Sequence, residues 1–163
     1  MTGKATPATT QLERLGVTFT IHAYVHEPKQ ASYAAEAAEK LGIDSARVHK
    51  TLVADIDGSL WVAIVPADAM LDLKALAAAA AGKRATMADP IKVERSTGYV
   101  LGGVSPFGQR KVLRTVLDAA ALRWATIMVS AGRRGLEIEI DPKSLVDVLQ
   151  ALIAPISRRE PSG

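Results

Sequence analysis

The chain of 163 residues is 48% hydrophobic but only 4% aromatic, a length and composition that predict one domain over residues 1–163 with an aliphatic core. Its 20 Lys and Arg residues outnumber 17 Asp and Glu residues, and the net charge of +3 permits an anionic partner without requiring one. Cysteine is absent, which excludes disulfides and a protein thiol nucleophile. No apolar run approaches the roughly 18 residues of a membrane span. We therefore expect a cytoplasmic protein without membrane contact.

Hydrophobic periodicity and turn residues divide the chain into helices and strands. In chain order, the pattern predicts a helix over 8–15, a strand over 17–24, a helix over 33–41, strands over 47–56 and 59–66, helices over 71–81 and 91–97, strands over 111–118, 124–130 and 136–140, and a helix from 142 to 153. The candidate helix caps are Thr6, Ser32, Asp89 and Asp141. Asp57-Gly58 is the strongest hairpin signal, and it predicts that its flanking strands pair antiparallel.

Strands and helices interleave, but the hairpin signals and the late run of strands exclude a purely doubly wound parallel sheet. We therefore expect an α/β fold with a mixed, largely antiparallel sheet, curled or barrel-like, surrounded by helices. The segment 98–112 contains too many glycines for regular structure and is expected to form a loop of defined shape, and 131–135 is expected to be a turn. The tail 157–163 is expected to fray. The apolar stripe of the closing helix is predicted to comprise Leu145, Val148, Leu149, Leu152 and Ile153.

Several familiar kinds of site do not fit the residue pattern. His22 and His26 lack the spacing of metal ligands, which favours a surface or structural role. Ser105 lies in a segment that departs from G-x-S-x-G at its last position, and no histidine follows it, which excludes the serine–acid–histidine order of α/β-hydrolases. Neither a P-loop nor a dinucleotide-binding glycine motif is present.

Two features leave alternatives open. The backbone N–H groups of Gly102 and Gly103 could approach a carbonyl or a phosphate, but the spacing alone slightly favours an ordinary tight turn. Paired basic residues could form one phosphate-binding surface, although scattered solvated charge is the simpler interpretation. These pairs are Lys83-Arg84, Arg110-Lys111, Arg133-Arg134 and Arg158-Arg159.

Lys50 interrupts an apolar strand face. Alternation places it on the side of Val48, Leu52, Ala54 and Ile56. Such a lysine can extend its ammonium group to solvent, or it can line a cleft and bind an anion or a carbonyl there. A third alternative is a neutral lysine that forms a Schiff base. The pattern alone favours extension to solvent.

Four segments carry a resemblance to a known family. They are HKTL at 49–52, MADP at 87–90, RSTGYVLGGVSPFGQ at 95–109 and VSAGRRGLEIEI at 129–140. The chain resembles the YbaK family of Cys-tRNA(Pro) deacylases, which is similar to the insertion domain of bacterial prolyl-tRNA synthetases. The resemblance implies an editing enzyme without cofactor or metal, which hydrolyses cysteine from mischarged tRNA(Pro), and also Cys-tRNA(Cys) as a wider option, with prolyl-tRNA synthetase as its partner. The substrate's own thiol would attack its ester and leave as a cyclic thiolactone.

The family's functional positions also transfer by resemblance. Lys50 would hold the tRNA end or polar groups of the substrate, and backbone N–H groups around Gly102 and Gly103 would stabilise the oxyanion. The implied substrate-binding residues are Tyr24, Tyr33, Thr51, Ser105, Ser130 and Glu137. Tyr33, Glu137 and His49 stand where relatives often have Phe, Asp and Tyr, which bears on the preferred amino acid.

Three other functions are weighed against this one. The first is a binding module that keeps the fold and holds aminoacyl-tRNA or the synthetase without catalysis. The second is an editing deacylase for another small amino acid such as alanine, and the most distant is a Schiff-base enzyme that uses Lys50.

Overall fold

A computed structural model describes residues 5–27 and 33–159. Within these residues the α-helices are α1 (Pro7–Arg14), α2 (Tyr33–Leu41), α3 (Leu73–Ala79), α4 (Pro90–Thr97) and α5 (Pro142–Leu149). The strands are β1 (Thr20–Ala23), β2 (His49–Ile56), β3 (Ser59–Pro66), β4 (Ala69–Leu71), β5 (Ala85–Met87), β6 (Arg114–Asp118), β7 (Ile127–Arg133), β8 (Leu136–Ile140), β9 (Leu152–Ala154) and β10 (Ser157–Arg159). A 3-10 helix over Ala119–Arg123 follows β6, and the candidate cap Ser32 lies outside the described residues.

The strands form three sheets. The largest has the order β5-β2-β3-β6-β9, in which β3 pairs parallel with β6 and β6 pairs parallel with β9. A three-stranded antiparallel sheet has the order β1-β8-β7, and β4 pairs antiparallel with β10. A parallel bridge between Val48 and Met128 joins the two larger sheets. The expected mixed, mostly antiparallel α/β fold is confirmed, and the described strands do not close into a barrel.

Helix starts follow the capping residues. The Thr6 hydroxyl accepts a hydrogen bond from the Thr9 N–H at 3.2 Å, and the Thr9 hydroxyl accepts one from the Thr6 N–H, which completes a capping box. Asp89 and Asp141 cap α4 and α5, each with proline in the first turn. These three predicted caps are confirmed.

The hairpin between β2 and β3 has the predicted two-residue turn. Asp57 and Gly58 both have left-handed backbone angles, with φ of 51° and 94°, as a type I′ turn requires. The Asp57 carboxylate also accepts hydrogen bonds from the N–H groups of Lys83 and Arg84, which lowers its pKa. The hairpin therefore also fixes the connection between α3 and β5.

Apolar residues pack on both faces of the largest sheet. On one face, Val53, Ile64 and Leu117 join the main core beneath β7 and β8. On the other face, a smaller core forms beneath α3 and includes Ala54, Ile56, Trp61 and Leu76. A third cluster lies beneath α2 and contains Ala37, Ala38, Val48 and Met128.

Two helices end earlier than the sequence predicts. The helix α3 ends at Ala79 because Ala81 takes a left-handed φ of 57°. The helix α5 ends at Leu149 because Gln150 takes a left-handed φ of 51°. Leu152 and Ile153 therefore do not extend the helical stripe; they lie in β9 and remain 47% and 44% exposed.

Several other boundaries also differ: the strands expected from 47, 111 and 124 begin at His49, Arg114 and Ile127. The strand expected over 17–24 begins only at Thr20, since the Val17 N–H still donates to the Leu12 carbonyl at the end of α1. The expected turn over 131–135 is shorter, because β7 continues through a bulge to Arg133. Of the tail expected to fray, residues 157–159 form β10, and residues 160–163 lie outside the described residues. Among the described residues, no helix is long and apolar enough to cross a membrane.

Candidate active site

A pocket of about 430 Å³ opens between β2, the β7–β8 hairpin, the start of α2 and the loop after α4. It brings together residues that are far apart in the sequence, as a binding site commonly does. The predicted site residues in its lining are Tyr24, Tyr33, Lys50, Thr51, Gly102, Ser130 and Glu137. Gly103 and Ser105 are not part of the lining.

Lys50 lies near the start of β2, where it pairs with Val65 of β3. The side chain is partly buried and lines the pocket. Among the described residues, Lys50 forms no ion pair within 4.0 Å. A cation placed in this way can bind a phosphate or a carbonyl oxygen. This placement favours the cleft interpretation over simple extension to solvent.

Two glutamates on the same face of β8 have opposite environments. The Glu139 carboxylate accepts hydrogen bonds from Thr126 and Arg47 at 2.6 and 2.8 Å and contacts His22 at 2.8 Å, and these interactions lower its pKa. Glu137 is only 6% exposed, and its carboxyl group forms neither a hydrogen bond nor an ion pair within the described residues. Burial raises the pKa of Glu137 to about 8, so the pocket contains a largely protonated carboxyl group at neutral pH.

One wall of the pocket is built on Gly102. Gly102 has a φ of 86°, and a Cβ atom there would lie 2.0 Å from Cε2 of Tyr33. The Tyr33 ring therefore lies directly against the glycine. The Arg134 guanidinium lies 4.6 Å from the centroid of the same ring and donates a hydrogen bond to the Leu101 carbonyl. Since Tyr33 is the first residue of α2, this wall connects α2 with the glycine loop.

Gly103 and Ser105 hold the shape of the loop. The Gly103 N–H donates to the Val100 carbonyl at 2.9 Å, and the buried Ser105 hydroxyl accepts a hydrogen bond from the Phe107 N–H. The Gly102 N–H has no partner among the described residues, so it remains available to a ligand. Direct roles of Gly103 and Ser105 at the substrate stay predictions, and this geometry supports Gly102 more strongly.

His49 and Thr51 add buried polar atoms to the pocket lining. His49 is 1% exposed, and its Nδ1 lies 2.9 Å from the Arg47 carbonyl, which places the proton on Nδ1. Burial lowers the pKa of His49 and favours the neutral ring. His49 Nε2 and Thr51 Oγ1 are buried and have no partner among the described residues. The HKTL motif was the signal for this cluster, but it did not reveal the unpaired atoms.

The histidines before β2 have structural partners. His26 Nδ1 lies 2.6 Å from the Glu36 carboxylate, which also accepts hydrogen bonds from the Glu27 N–H and from Lys40. Burial alone would raise the pKa of Glu36, but these partners lower it to about 2. His22 contacts Glu139, so both histidines have the structural role that their spacing favoured. No group of three or more candidate metal ligands occurs in the described part of the chain.

The sequence profile of the aminoacyl-tRNA editing domain family matches residues 27–148. The chain belongs to this family. The matched range includes eight of the nine predicted site residues, all except Tyr24, and it contains the four segments from which the YbaK-type resemblance was inferred. That resemblance is confirmed.

Individual relatives of the editing-domain family differ in the substrates that their names state. A protein of Enterococcus faecalis (strain ATCC 700802 / V583), with the provisional name Cys-tRNA(Pro)/Cys-tRNA(Cys) deacylase EbsC, is 39% identical over 129 residues, which cover 78% of each chain. The Ser/Thr-tRNA deacylase ProXp-y of Escherichia coli (strain K12) is 38% identical over 72 residues, which cover 44% of this chain and 43% of ProXp-y. A crystal structure provisionally described as a trans-editing enzyme for prolyl-tRNA synthetase superposes with a TM-score of 0.85 at 23% identity and covers 97% of this chain and 99% of its own, which shows the shared fold.

Proposed function

We propose that this protein is an aminoacyl-tRNA deacylase that removes cysteine from mischarged tRNA(Pro), in the cytoplasm and in trans to prolyl-tRNA synthetase. The observation that carries the proposal is the convergence of Tyr24, Lys50, Gly102 and Ser130 on one pocket in a chain of the editing-domain family. The related protein of Enterococcus faecalis, named for cysteine-charged tRNAs, supports the choice of amino acid.

The pocket suits a reaction in which the substrate supplies the nucleophile. The protein contains no cysteine, and the Ser105 hydroxyl is buried in the loop away from the pocket lining. The thiol of the bound cysteine loses its proton and its sulfur attacks the ester carbonyl carbon. A C–S bond forms, the bond to the ribose oxygen breaks, and that oxygen takes up a proton. The products are free tRNA and a cyclic thiolactone.

The protein would contribute positioning and charge stabilisation. Lys50 would bind the tRNA end beside the ester, and the free N–H of Gly102 would donate to the oxyanion. Tyr24 and Tyr33 would bound the space for a small amino acid. Such editing is needed because a synthetase pocket discriminates weakly between amino acids of similar size.

A second candidate function is deacylation of serine, threonine or alanine esters in the same pocket. The similarity to the Ser/Thr-tRNA deacylase ProXp-y favours serine and threonine among these, although it covers less than half of the chain. Attack by a substrate hydroxyl is weaker than attack by a thiol near neutral pH, because a thiol with a pKa near 8.5 ionises more readily.

The test compares the release of amino acid from Cys-, Ser-, Thr- and Ala-tRNA(Pro) by the wild-type protein and by Lys50→Ala. We expect the cysteine ester to react at least ~10-fold faster than the serine ester, and Lys50→Ala to lose most of this rate. Lys74→Ala, on the exposed side of α3 outside the pocket, is the matched control. Equal rates for cysteine and serine esters would contradict the thiol mechanism. Binding of all four tRNAs without any release would instead support the non-catalytic module.

The partnership with prolyl-tRNA synthetase needs a separate measurement. The net charge of +3 is small for a protein that selects tRNA by itself, which is why we assign tRNA selection to the synthetase. Adding the synthetase should tighten binding of Cys-tRNA(Pro) measured by fluorescence anisotropy. An affinity that does not change would refute the partnership and leave the deacylase activity untouched.

A further inference from the structure

The unpaired carboxyl group of Glu137 is the most unusual feature of the pocket. A buried carboxyl group normally has a hydrogen-bond or ion-pair partner, because an unpaired charge is costly to bury. Glu139, two residues further along the same face of β8, has such partners in Arg47 and Thr126. Glu137 lines the pocket instead, so a bound ligand can reach its carboxyl group and supply the missing partner.

No neighbouring protein cation supplies that partner. The other charged or titratable residues of the pocket lining are Tyr24, Tyr33, His49, Lys50, Arg133 and Arg134. The described ion pairs include none between these residues and Glu137. His22, the cross-strand neighbour of Glu137 on β1, is engaged by Glu139, and Glu36 on α2 is engaged by His26 and Lys40. The carboxyl group of Glu137 is therefore uncommitted within the described residues.

The charged end of an aminoacyl-tRNA supplies one group of the required kind. Its phosphates are anionic and its ribose hydroxyls and ester are neutral, whereas its α-amino group is cationic when protonated. An ammonium group within hydrogen-bond distance would favour the ionised form of a carboxyl group and form a charge-assisted hydrogen bond with it. Lys50 on β2 and Glu137 on β8 then give the pocket a positive and a negative group for a dipolar ligand.

We propose that Glu137 binds the α-ammonium group of the aminoacyl ester and so restricts the pocket to tRNAs with a free α-amino group. This inference rests on the proposed deacylase function and assigns Glu137 a role in specificity. It also predicts that tRNAs with a blocked α-amino group, such as N-acylated or peptidyl esters, are spared.

The experiment compares two esters that differ only at the α-carbon. Cys-tRNA(Pro) has the α-amino group, and 3-mercaptopropionyl-tRNA(Pro) lacks it but keeps the thiol and adds no bulk. Both are measured with the wild-type protein, Glu137→Gln and the control Glu139→Gln, which changes the same residue type on the same face of β8 outside the pocket lining. The wild-type protein should prefer the aminated ester by about 10-fold or more in kcat/KM, as expected for a buried charge-assisted hydrogen bond.

The outcome for Glu137→Gln decides the inference. A preference that falls to within about 2-fold, with the rate on the mercaptopropionyl ester retained, supports it, because only the interaction with the amino group has been lost. An unchanged preference would overturn it. An equal loss on both esters would also overturn it, since Glu137 would then act on the thiol or the ester.

A binding measurement separates this inference from the deacylase proposal. The probes are 3′-cysteinylamino-3′-deoxyadenosine, whose amide linkage resists hydrolysis, and its 3-mercaptopropionyl counterpart. At pH 6.5, calorimetry in two buffers should detect proton release only when the aminated probe binds, because Glu137 must ionise to pair with the ammonium group. The release should be absent in Glu137→Gln and present in Glu139→Gln. A wild-type protein that is inactive on Cys-tRNA(Pro) but releases these protons would refute the deacylase proposal alone; no proton release by the wild-type protein would refute the ammonium site.

Discussion

At the scale of single residues, burial rather than residue type decides the chemistry of the site. Glu137 and Glu139 lie two positions apart on one strand face, yet the pKa of Glu137 is raised to about 8 and that of Glu139 is lowered. The sequence shows two identical residues. Their neighbours distinguish them: His22 of β1, Arg47 and Thr126 engage Glu139, whereas Glu137 lines the pocket without such a partner.

The raised pKa of Glu137 predicts a loss of stability as the pH rises. The unfolded chain ionises this group near pH 4.5, but the folded protein retains the proton up to about pH 8. Between these values the unfolded state binds fewer protons, so the free energy of unfolding decreases by about 1.4 kcal/mol per pH unit. Glu137→Gln should remove this contribution, which urea denaturation at pH 5, 7 and 8.5 can measure. Parallel pH profiles of the wild-type protein and the variant would contradict the assigned pKa.

Substitution of Gly102 by alanine should lower activity through a steric collision, and not only through its positive φ. In Gly102→Ala the new methyl group would collide with the Tyr33 ring, so the ring must move into the pocket and deacylation should fall by about 10-fold or more. Gly42→Ala is the matched control, since Gly42 also has a positive φ but no atom within 4 Å of the added Cβ. The positive φ should cost each variant about 1 kcal/mol of stability, and the collision with Tyr33 adds to this cost in Gly102→Ala alone. Equal activity in the two variants would show that the Tyr33 contact does not matter.

At the scale of elements, short strands are held by polar side chains. The buried Asp118 carboxylate accepts hydrogen bonds from the N–H groups of Ala120, Ile156 and Ser157. It therefore connects the end of β6 with the 3-10 helix and with the start of β10. No periodic pattern in the sequence marks this function.

Asp118→Ala should therefore destabilise the protein and release β10. Three N–H groups would lose their acceptor, at a cost on the order of 3 kcal/mol in the free energy of unfolding. Hydrogen exchange should accelerate in β10 and in its partner β4. Asp147→Ala, at an exposed position of α5, serves as the control and should change stability by less than about 0.5 kcal/mol. Unchanged exchange in β10 after loss of Asp118 would refute this role.

The elements that the sequence predicted correctly are those with local signals. Thr6, Asp89 and Asp141 cap helices through their own side chains, and Asp57-Gly58 sets a turn through backbone angles. The strands β4, β5, β9 and β10 escaped prediction because each has three residues, too few for a periodic pattern, and depends on partners distant in the chain.

The motifs identified residues that share one pocket in the structure, but they did not predict the electrostatics of that pocket. The resemblance placed Lys50, Gly102 and Glu137 in one site, and the structure brings these residues to one pocket. The unpaired state of Glu137 could not be predicted, because it depends on which of the two glutamates pairs with Arg47 and His22. In the structure Glu139 pairs with both.

At the scale of the whole molecule, the positive charge is only partly directed at the pocket. Of the four basic pairs, Arg133-Arg134 alone contributes to the pocket lining. An exposed arginine at this position is suited to contact a phosphate of the tRNA end. The other three pairs lie outside the pocket lining and are interpreted as scattered surface charge.

Arg133→Ala should weaken tRNA binding in a salt-dependent manner. Loss of one phosphate contact is expected to reduce the slope of log Kd against log salt concentration by about 1. Arg158→Ala, an exposed arginine on β10 outside the pocket lining, should leave the slope unchanged. Filter binding between about 50 and 200 mM salt measures the slopes of both variants. Identical slopes for the two variants would exclude a phosphate contact by Arg133.

The bridge between Val48 and Met128 has a consequence for how the molecule responds to its ligand. The pocket lies at this junction, and its walls come from β2 and β5 of one sheet and from β7 and β8 of another. A ligand that contacts Lys50 of β2 and Glu137 of β8 would therefore contact both sheets at once. The aminoacyl end of a tRNA bound in this way would connect the two sheets for as long as it stays in the pocket.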